Sequence, residues 1–234
     1  MLKRDPFISD IIGKPAWMVS DTNHLEEKDF ARGNDGFVYA KADCQNIISI
    51  GRLEKFGFHL IDTNVQLDRF SSGLLYDLQV PKNYKIDFAE PENAQRVEQI
   101  AATSFKYTRF HLDPFISDKF ANDIKRQWAG NFFKKIRGDY MVVLKYKTEI
   151  VGFLQLILKD KNLIIDLIAI DKLHQGKGLA GVMINFAANH LDKWQRMLVG
   201  TQVTNIPSMR SYVKQGFNIC QSSYIFHYHG GMKL

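Results

Sequence analysis

A chain of 234 residues, 45% hydrophobic and 24% charged, has the composition of an ordinary globular protein and is long enough for one large domain or two small ones. Its net charge of +6 suits an anionic ligand, but no arginine-rich run or nucleic-acid motif accompanies it, which argues against a nucleic-acid partner. Cys44 and Cys220 stand without a CxxC or Cys/His cluster and no long apolar stretch is present, so the expectation is a cytoplasmic protein with no metal, no signal peptide and no membrane insertion.

Residues 1–80 read as a smaller α/β domain. The alternation of 36–42 predicts a strand, and Ile47, Ile48, Ile50, Leu53 and Phe56 predict a short helix ended by Gly57. Residues 58–68 predict one long strand or a strand pair, and the turn residues and proline of 71–83 predict a linker. A second domain, 84–234, begins with a helix over 91–105 that has Pro91 in its first turn. A polar-aromatic loop over 106–114 and a helix over 115–131 follow. Strands 140–146 and 149–158 form an expected antiparallel hairpin across Lys147-Thr148, with a third strand at 163–170. A helix over 177–191, a strand over 196–203, a helix from Pro207 to Gln215 closed by Gly216, and one or two strands over 217–229 complete the order. It is a mixed α/β order: an antiparallel meander, then parallel crossovers. There is one weak internal echo. Arg52 to Phe58 and Ser211 to Phe217 are both helix ends closed by Gly-Phe ahead of a strand, which a common helix–glycine–strand joint explains more often than duplication does.

The segment Leu163 to His190 carries the most chemistry. The apolar run 163–170 reads as a mostly buried strand, and 171–178 is polar and basic. Leu179, Val182, Met183, Phe186 and His190 then recur on one helical face. A strand that feeds a helix through a glycine turn leaves N–H groups unpaired at the positive end of the helix dipole, which suits a phosphate-bearing ligand. The plainer alternative is a turn that serves tight strand–helix packing. A Walker-type loop does not fit, because Lys177 lies between the glycines and no Ser or Thr follows. Gly176 to Gly181 matches a dinucleotide fingerprint by letter, but it lies late in the chain and Asp192 falls at the helix end.

Together these residues resemble the GCN5-related N-acetyltransferase (GNAT) family, whose acyl-CoA motif [RQ]-x-x-G-x-[GA] stands here as Gln175-Gly176-Lys177-Gly178-Leu179-Ala180. Asn205 and Tyr212, ahead of Lys214-Gln215-Gly216-Phe217, match the family's N…Y…GF ending. The resemblance covers about 84–230, in the same order of elements. It implies a GNAT fold, with a mixed, mostly antiparallel central sheet and a pair of splayed strands, preceded here by the smaller N-terminal domain. A narrower set of segments is similar to the dTDP-fucosamine acetyltransferases, which acetylate the 4-amino group of a dTDP-linked deoxysugar for surface polysaccharide. Those segments are 104–114, Trp128, 152–156, 201–205 and the Tyr-x-x-x-Gly-Phe end. On the same resemblance the N-terminal region is a degenerate copy of half of the fold, if the echo is real.

The resemblance implies acetyl-CoA as co-substrate, a nucleotide sugar as the partner small molecule, and direct attack of the amine on the thioester. Gln175, Gly176, Lys177, Gly178, Leu179, Ala180 and Gly181 would hold the pyrophosphate. Backbone groups of Leu167, Ile168, Ala169 and Ile170 would meet the pantetheine arm, and an N–H near Ile168 to Ile170 would stabilise the oxyanion. Tyr212 is the candidate general acid, or an aromatic packed on a helix face. Asn205 is a helix cap that would also reach the pantetheine. On the acceptor side His111 and Asp113 are candidate proton acceptors, or shapers of the turn before Pro114, and Arg109 would pair with a sugar-nucleotide phosphate or with a surface carboxylate. A GNAT enzyme for another amine (a polyamine, an antibiotic, a protein N-terminus) and a non-catalytic acyl-CoA-binding module stay open, as does a homodimer.

Overall fold

The computed structural model describes residues 2–26, 29, 36–71 and 79–230. Its strands are β1 (Leu2–Arg4), β2 (Ala16–Val19), β3 (Phe37–Asp43), β4 (His59–Phe70), β5 (Tyr84–Phe88), β6 (Tyr140–Tyr146), β7 (Glu149–Lys159), β8 (Asn162–Ile170), β9 (Arg196–Gln202) and β10 (Asn218–His229). Its helices are α1 (Pro6–Ile12), α2 (Ile47–Lys55), α3 (Ala94–Ser104), α4 (Arg109–Leu112), α5 (Asp118–Phe133), α6 (Leu179–His190) and α7 (Ile206–Lys214). All ten strands belong to one sheet, in the order β1-β2-β3-β10-β4-β9-β8-β7-β6-β5. The pairs are antiparallel except β2–β3 and β8–β9, which are parallel.

The meander and the two crossovers follow the pattern expected from the sequence. Five elements sit where none was expected, the short strands β1 and β2 among them. Helix α1 starts at Pro6 behind Asp5, whose carboxylate accepts from the Ile8 N–H, and ends at Gly13 with φ 71°, so both of its ends carry ordinary capping chemistry in only seven residues. Strand β5 pairs with β6 at the sheet edge, its five half-buried and exposed residues alternating strictly. The expected loop at 106–114 contains the short helix α4, with Thr108 as N-cap. Residues 72–78 of the expected linker lie outside the described residues.

The sheet runs through the expected boundary near residue 80 without a break. The units β3–α2–β4 and β9–α7–β10 interleave: β10 lies between β3 and β4, and β4 lies between β10 and β9. Reversing the order β3-β10-β4-β9 exchanges one unit for the other, an approximate two-fold relation. Both nine-residue helices are N-capped by an asparagine, Asn46 or Asn205, and both are followed by a glycine near φ 80° and a buried phenylalanine. The weak echo in the sequence therefore corresponds to equivalent places in the sheet.

The two faces have separate cores. On one, α6 and α7 cover Val65, Leu67, Leu154, Leu163, Met197 and Val199. On the other, α3 and α5 cover Met141, Val143, Phe153, Leu167 and Ala169. Helix α6 is buried beyond the expected stripe, with Ile184 and Ala187 as fully enclosed as Met183. The exposed-side pair Phe186 and His190 stacks with ring centroids 4.0 Å apart.

Candidate functional site

The site begins where two strands part. β8 and β9 pair from Asn162↔Arg196 to Ile165↔Val199 and no further. Beyond that point β8 stays on β7 as far as Gly152↔Ile170, while β9 stays on β4 as far as Asn64↔Gln202. A bulge marks the parting: Leu156 pairs with Ile165 and Gln155 with Leu167, which leaves Asp166 as the extra residue. Gly152 keeps the β8 arm close to β7, since a Cβ there would stand 2.6 Å from Ile170 Cδ1. The backbone of 166–170 thus has one edge without a strand partner, available to an extended ligand.

That arm leads into the glycine turn. The Asp171 carboxylate accepts from the Leu173 N–H and from Arg96 of α3, at 2.7 Å. Arg96 also donates to the Ile150 carbonyl, which fixes the turn to β7. The Gln175 side chain donates back to the Ile170 carbonyl at 2.9 Å. Gly176 and Gly178 have φ 78° and 73°, and nothing lies within 4 Å of where their Cβ atoms would be. Gly178 is the N-cap of α6 and offers no side chain, and among the described residues the N–H groups of 176–180 find no backbone acceptor. Five donors at a helix start, facing open space, form an anion site. Lys177 donates to the Tyr84 hydroxyl at 3.3 Å, and Tyr84 also meets His174 at 2.8 Å and packs on Tyr146. Tyr84, on an edge strand without a motif, gave no signal in the sequence.

On the α7 side, Asn205 caps the helix by accepting from the Ser208 N–H and also donates to Thr201 Oγ1 at 3.3 Å. Tyr212 is buried against Phe217, and burial pushes its phenol pKa far up, so it is protonated at any working pH.

The opposite face carries a line of polar side chains. Asp166 accepts from Trp128 Nε1 at 3.0 Å, from Gln155 at 3.0 Å and from Arg137 at 2.6 and 2.7 Å. Lys125 of α5 rests on the rings of Trp128 and Phe105, and burial pushes its pKa down to about 8 although Asp166 attracts it. Next comes Arg109, half-buried, with its guanidinium 4.1 Å from the Tyr39 ring centroid and 4.6 Å from that of Phe110. Asp5 and Asp62 attract Arg109, but no ion pair joins it to either among the described residues. Asp62 lies on β4 beside Gln202, with burial pushing its pKa up to about 6. Lys125 and Asp62 carried no motif; each is one polar residue in a run that reads as ordinary helix or strand.

The other two acceptor-side candidates are engaged elsewhere. His111 Nδ1 lies 2.6 Å from Thr108 Oγ1, and its Nε2 lies 3.0 Å from Asn122 Oδ1, so both nitrogens have partners. Asp113 is 1% exposed. One of its oxygens accepts from the Phe115 N–H, and the other lies 2.6 Å from both His227 Nδ1 and His229 Nε2. Lys14 meets the remaining nitrogen of His229 at 3.3 Å. Burial raises the Asp113 pKa, but the two imidazole hydrogen bonds outweigh it and hold the carboxyl well below its usual range. Burial pushes His227 down to about 4, so its neutral imidazole donates to a carboxylate here. These three side chains bring ligand-type atoms within 4.8 Å of one another. Ligands about 2.1 Å from a tetrahedral ion stand roughly 3.4 Å apart, so separations of 2.6 Å are those of hydrogen bonds. The cluster pins the 105–117 segment onto β10.

Comparison with known proteins gives three kinds of match. The acetyltransferase (GNAT) family matches residues 95–217. The spore coat polysaccharide biosynthesis protein SpsD of Bacillus subtilis (strain 168) is 30% identical over 157 residues, 65% of this chain and 53% of that protein, so the chain spans about half the length of this curated relative. Among solved structures, a conserved protein from Staphylococcus epidermidis ATCC 12228 aligns with TM-score 0.67 and 14% identity, over 92% of this chain and 85% of its own. A tandem GNAT protein from the clavulanic acid biosynthesis pathway aligns with TM-score 0.65 and 12% identity, over 95% of this chain and 77% of its own. At those identities the structural likeness concerns the fold.

Proposed function

Because this chain belongs to the acetyltransferase (GNAT) family, we propose that it transfers an acetyl group from acetyl-CoA to the amine of a nucleotide-linked amino sugar, a dTDP-4-amino-4,6-dideoxyhexose, for surface polysaccharide synthesis in the cytoplasm. One observation carries the reading. The gap between β8 and β9 leads on one side to the free N–H groups of the glycine turn and on the other to a guanidinium without an ion pair. A diphosphate fits the first and an anionic acceptor the second. The likeness to a polysaccharide biosynthesis protein supports a sugar acceptor. No described helix is long and apolar enough to cross a membrane.

In this reading residues 176–180 hold the pyrophosphate and the free edge of 167–170 takes the pantetheine arm as an added strand, with Asn205 at its other side. An N–H of the same edge receives the oxyanion as the amine attacks. The thiolate that leaves takes the proton of Tyr212, which burial keeps protonated until then. Arg109 draws the sugar-nucleotide phosphate, while Asp113 and His111 hold the segment that carries it.

Thiol release from acetyl-CoA tests the proposal. Turnover with one or more dTDP-4-amino-4,6-dideoxyhexoses, and inhibition by dTDP alone, are expected. No turnover across a panel of such sugars, with turnover of a polyamine or a peptide N-terminus instead, reassigns the acceptor. Tyr212→Phe is expected to lower kcat by about 10²-fold or more with the acetyl-CoA Kd unchanged; an unchanged rate removes the acid role.

A further inference from the structure

Transfer to an amine requires a group that takes the proton of the acceptor ammonium. The two residues that the sequence offers for it, His111 and Asp113, have their nitrogens and oxygens engaged. Asp62 does not. It is 6% exposed, and its Oδ2 is the one buried carboxylate oxygen without a hydrogen-bond partner among the described residues. A buried acceptor left unmatched costs stability, so a carboxylate kept in this state asks for a ligand that completes it.

Its place in the sheet names that ligand's reacting end. Extending the β8–β9 register from Ile165↔Val199, with Asp166 bulged out, sets Ala169 level with Gln202, which pairs with Asn64. Asp62 is the next residue of β4 on that face, about 7 Å along the strand. It therefore stands level with the free end of the β8 arm, on the α3 and α5 side, opposite the helix that bears the glycine turn. Charged and titratable groups reach it from each neighbouring element. Arg109 of α4 attracts it, and around Arg109 lie Tyr39 and Lys41 of β3, His227 of β10 and Lys125 of α5, each of which feels that guanidinium. The Gln202 amide of β9 and the Thr63 N–H also act on Asp62.

We propose that Asp62 is the proton acceptor for the incoming amine, a role that rests on the transferase reading above. The ammonium of the acceptor gives a proton to the Asp62 carboxylate, directly or through one water. The neutral amine forms the C–N bond at the thioester carbon, its nitrogen gives a second proton to solvent, the C–S bond breaks, and the CoA sulfur takes the Tyr212 proton. Asp62 and Tyr212 then exchange with solvent, so that one ammonium and one thioester become one amide, one thiol and one released proton. A carboxyl whose pKa burial has pushed up to about 6 is ionised at neutral pH and is a stronger base than an exposed aspartate.

Asp62→Asn tests it. The variant removes an unmatched buried charge, so its Tm is expected to equal or exceed that of the wild type, and its acetyl-CoA Kd to be unchanged. With a dTDP-4-amino-4,6-dideoxyhexose, kcat/KM is expected to fall about 10²-fold or more, the limb near pH 6 of its pH profile to disappear, and Asp62→Glu to restore part of the rate. Thiol release without an acceptor, where water replaces the amine, is expected to fall as well. Should the wild type turn over no sugar nucleotide, the acceptor reading fails while this hydrolysis still reports on the base. Hydrolysis that is lost in Asp62→Asn keeps the assignment; an unchanged rate with an unchanged pH limb overturns it.

Discussion

The glycine turn and the polar cluster around Arg109 lie on opposite faces of one sheet, and they are built from different material. The turn is made of main chain: consecutive N–H groups, two residues at positive φ, and a helix start, all within 171–181. The cluster is made of side chains from β3, β4, β9, α4 and α5, brought together from segments distant in sequence. A backbone site imposes a local pattern on the residues that form it. A side-chain site imposes none, because any strand or helix can present one aspartate or one lysine.

The largest effect should come from breaking the backbone site alone. Gly178→Val places a β-branched side chain at φ 73° beside the N–H groups of the turn. We expect acetyl-CoA affinity to fall by about 10³-fold in calorimetric titration, with the overall fold kept. An affinity within threefold of wild type would falsify the anion role of the turn. On the other face, Asp113→Asn unmakes a buried, charge-assisted network. It should cost about 3 kcal/mol of stability, a Tm drop of roughly 6–12 °C for a chain of this size, while acetyl-CoA binding to the remaining folded protein is unchanged. A normal Tm would mean that the His227–Asp113–His229 cluster does not pin the 105–117 segment. Arg109→Gln is expected to raise the KM for the nucleotide sugar about 10- to 50-fold without altering that for acetyl-CoA; equal changes in both would erase the distinction between the two faces.

The smallest effect is the dependence of stability on pH. His227 is neutral when folded down to about pH 4, whereas its unfolded form takes up a proton below 6.5, so its contribution to stability rises with pH between those values. Asp62 has the opposite sign. Its folded pKa, about 6, exceeds the unfolded 3.8, so stability falls as pH rises across that window. The two slopes oppose each other from pH 4 to 6, and urea denaturation should show a nearly flat profile there. In Asp62→Asn the slope should turn positive and approach about 1 kcal/mol per pH unit; a flat profile in the variant would mean that the two groups are not set against each other.

The difference in material also explains what the sequence disclosed. The strand–turn–helix from 163 to 190 was legible because positive φ selects glycine and a buried helix face selects a period. The parting of β8 from β9 was not, since Ile168, Ala169 and Ile170 suit a closed sheet equally well, and the bulge at Asp166 shows only in the register. Arg109 stood out because it lies in a polar loop. The buried pairing of Asp113 was hidden because its partners His227 and His229 are 114 and 116 residues away. Asp62 and Lys125 are polar residues in runs with no motif, and only the fold brings each within the field of Arg109.

That sheet order also governs how the molecule comes into being. Strand β4 is made more than a hundred residues before either of its neighbours: Asn64 waits for Gln202 and Asp68 for Asn218. Until then β4 has two unsatisfied edges in a half-finished chain, the condition in which nascent proteins meet chaperones or pair wrongly. Contacts so distant along the chain close slowly. The seating of β4 between β9 and β10 therefore waits on both of these later strands, and it is this seating that brings Asp62 beside Gln202.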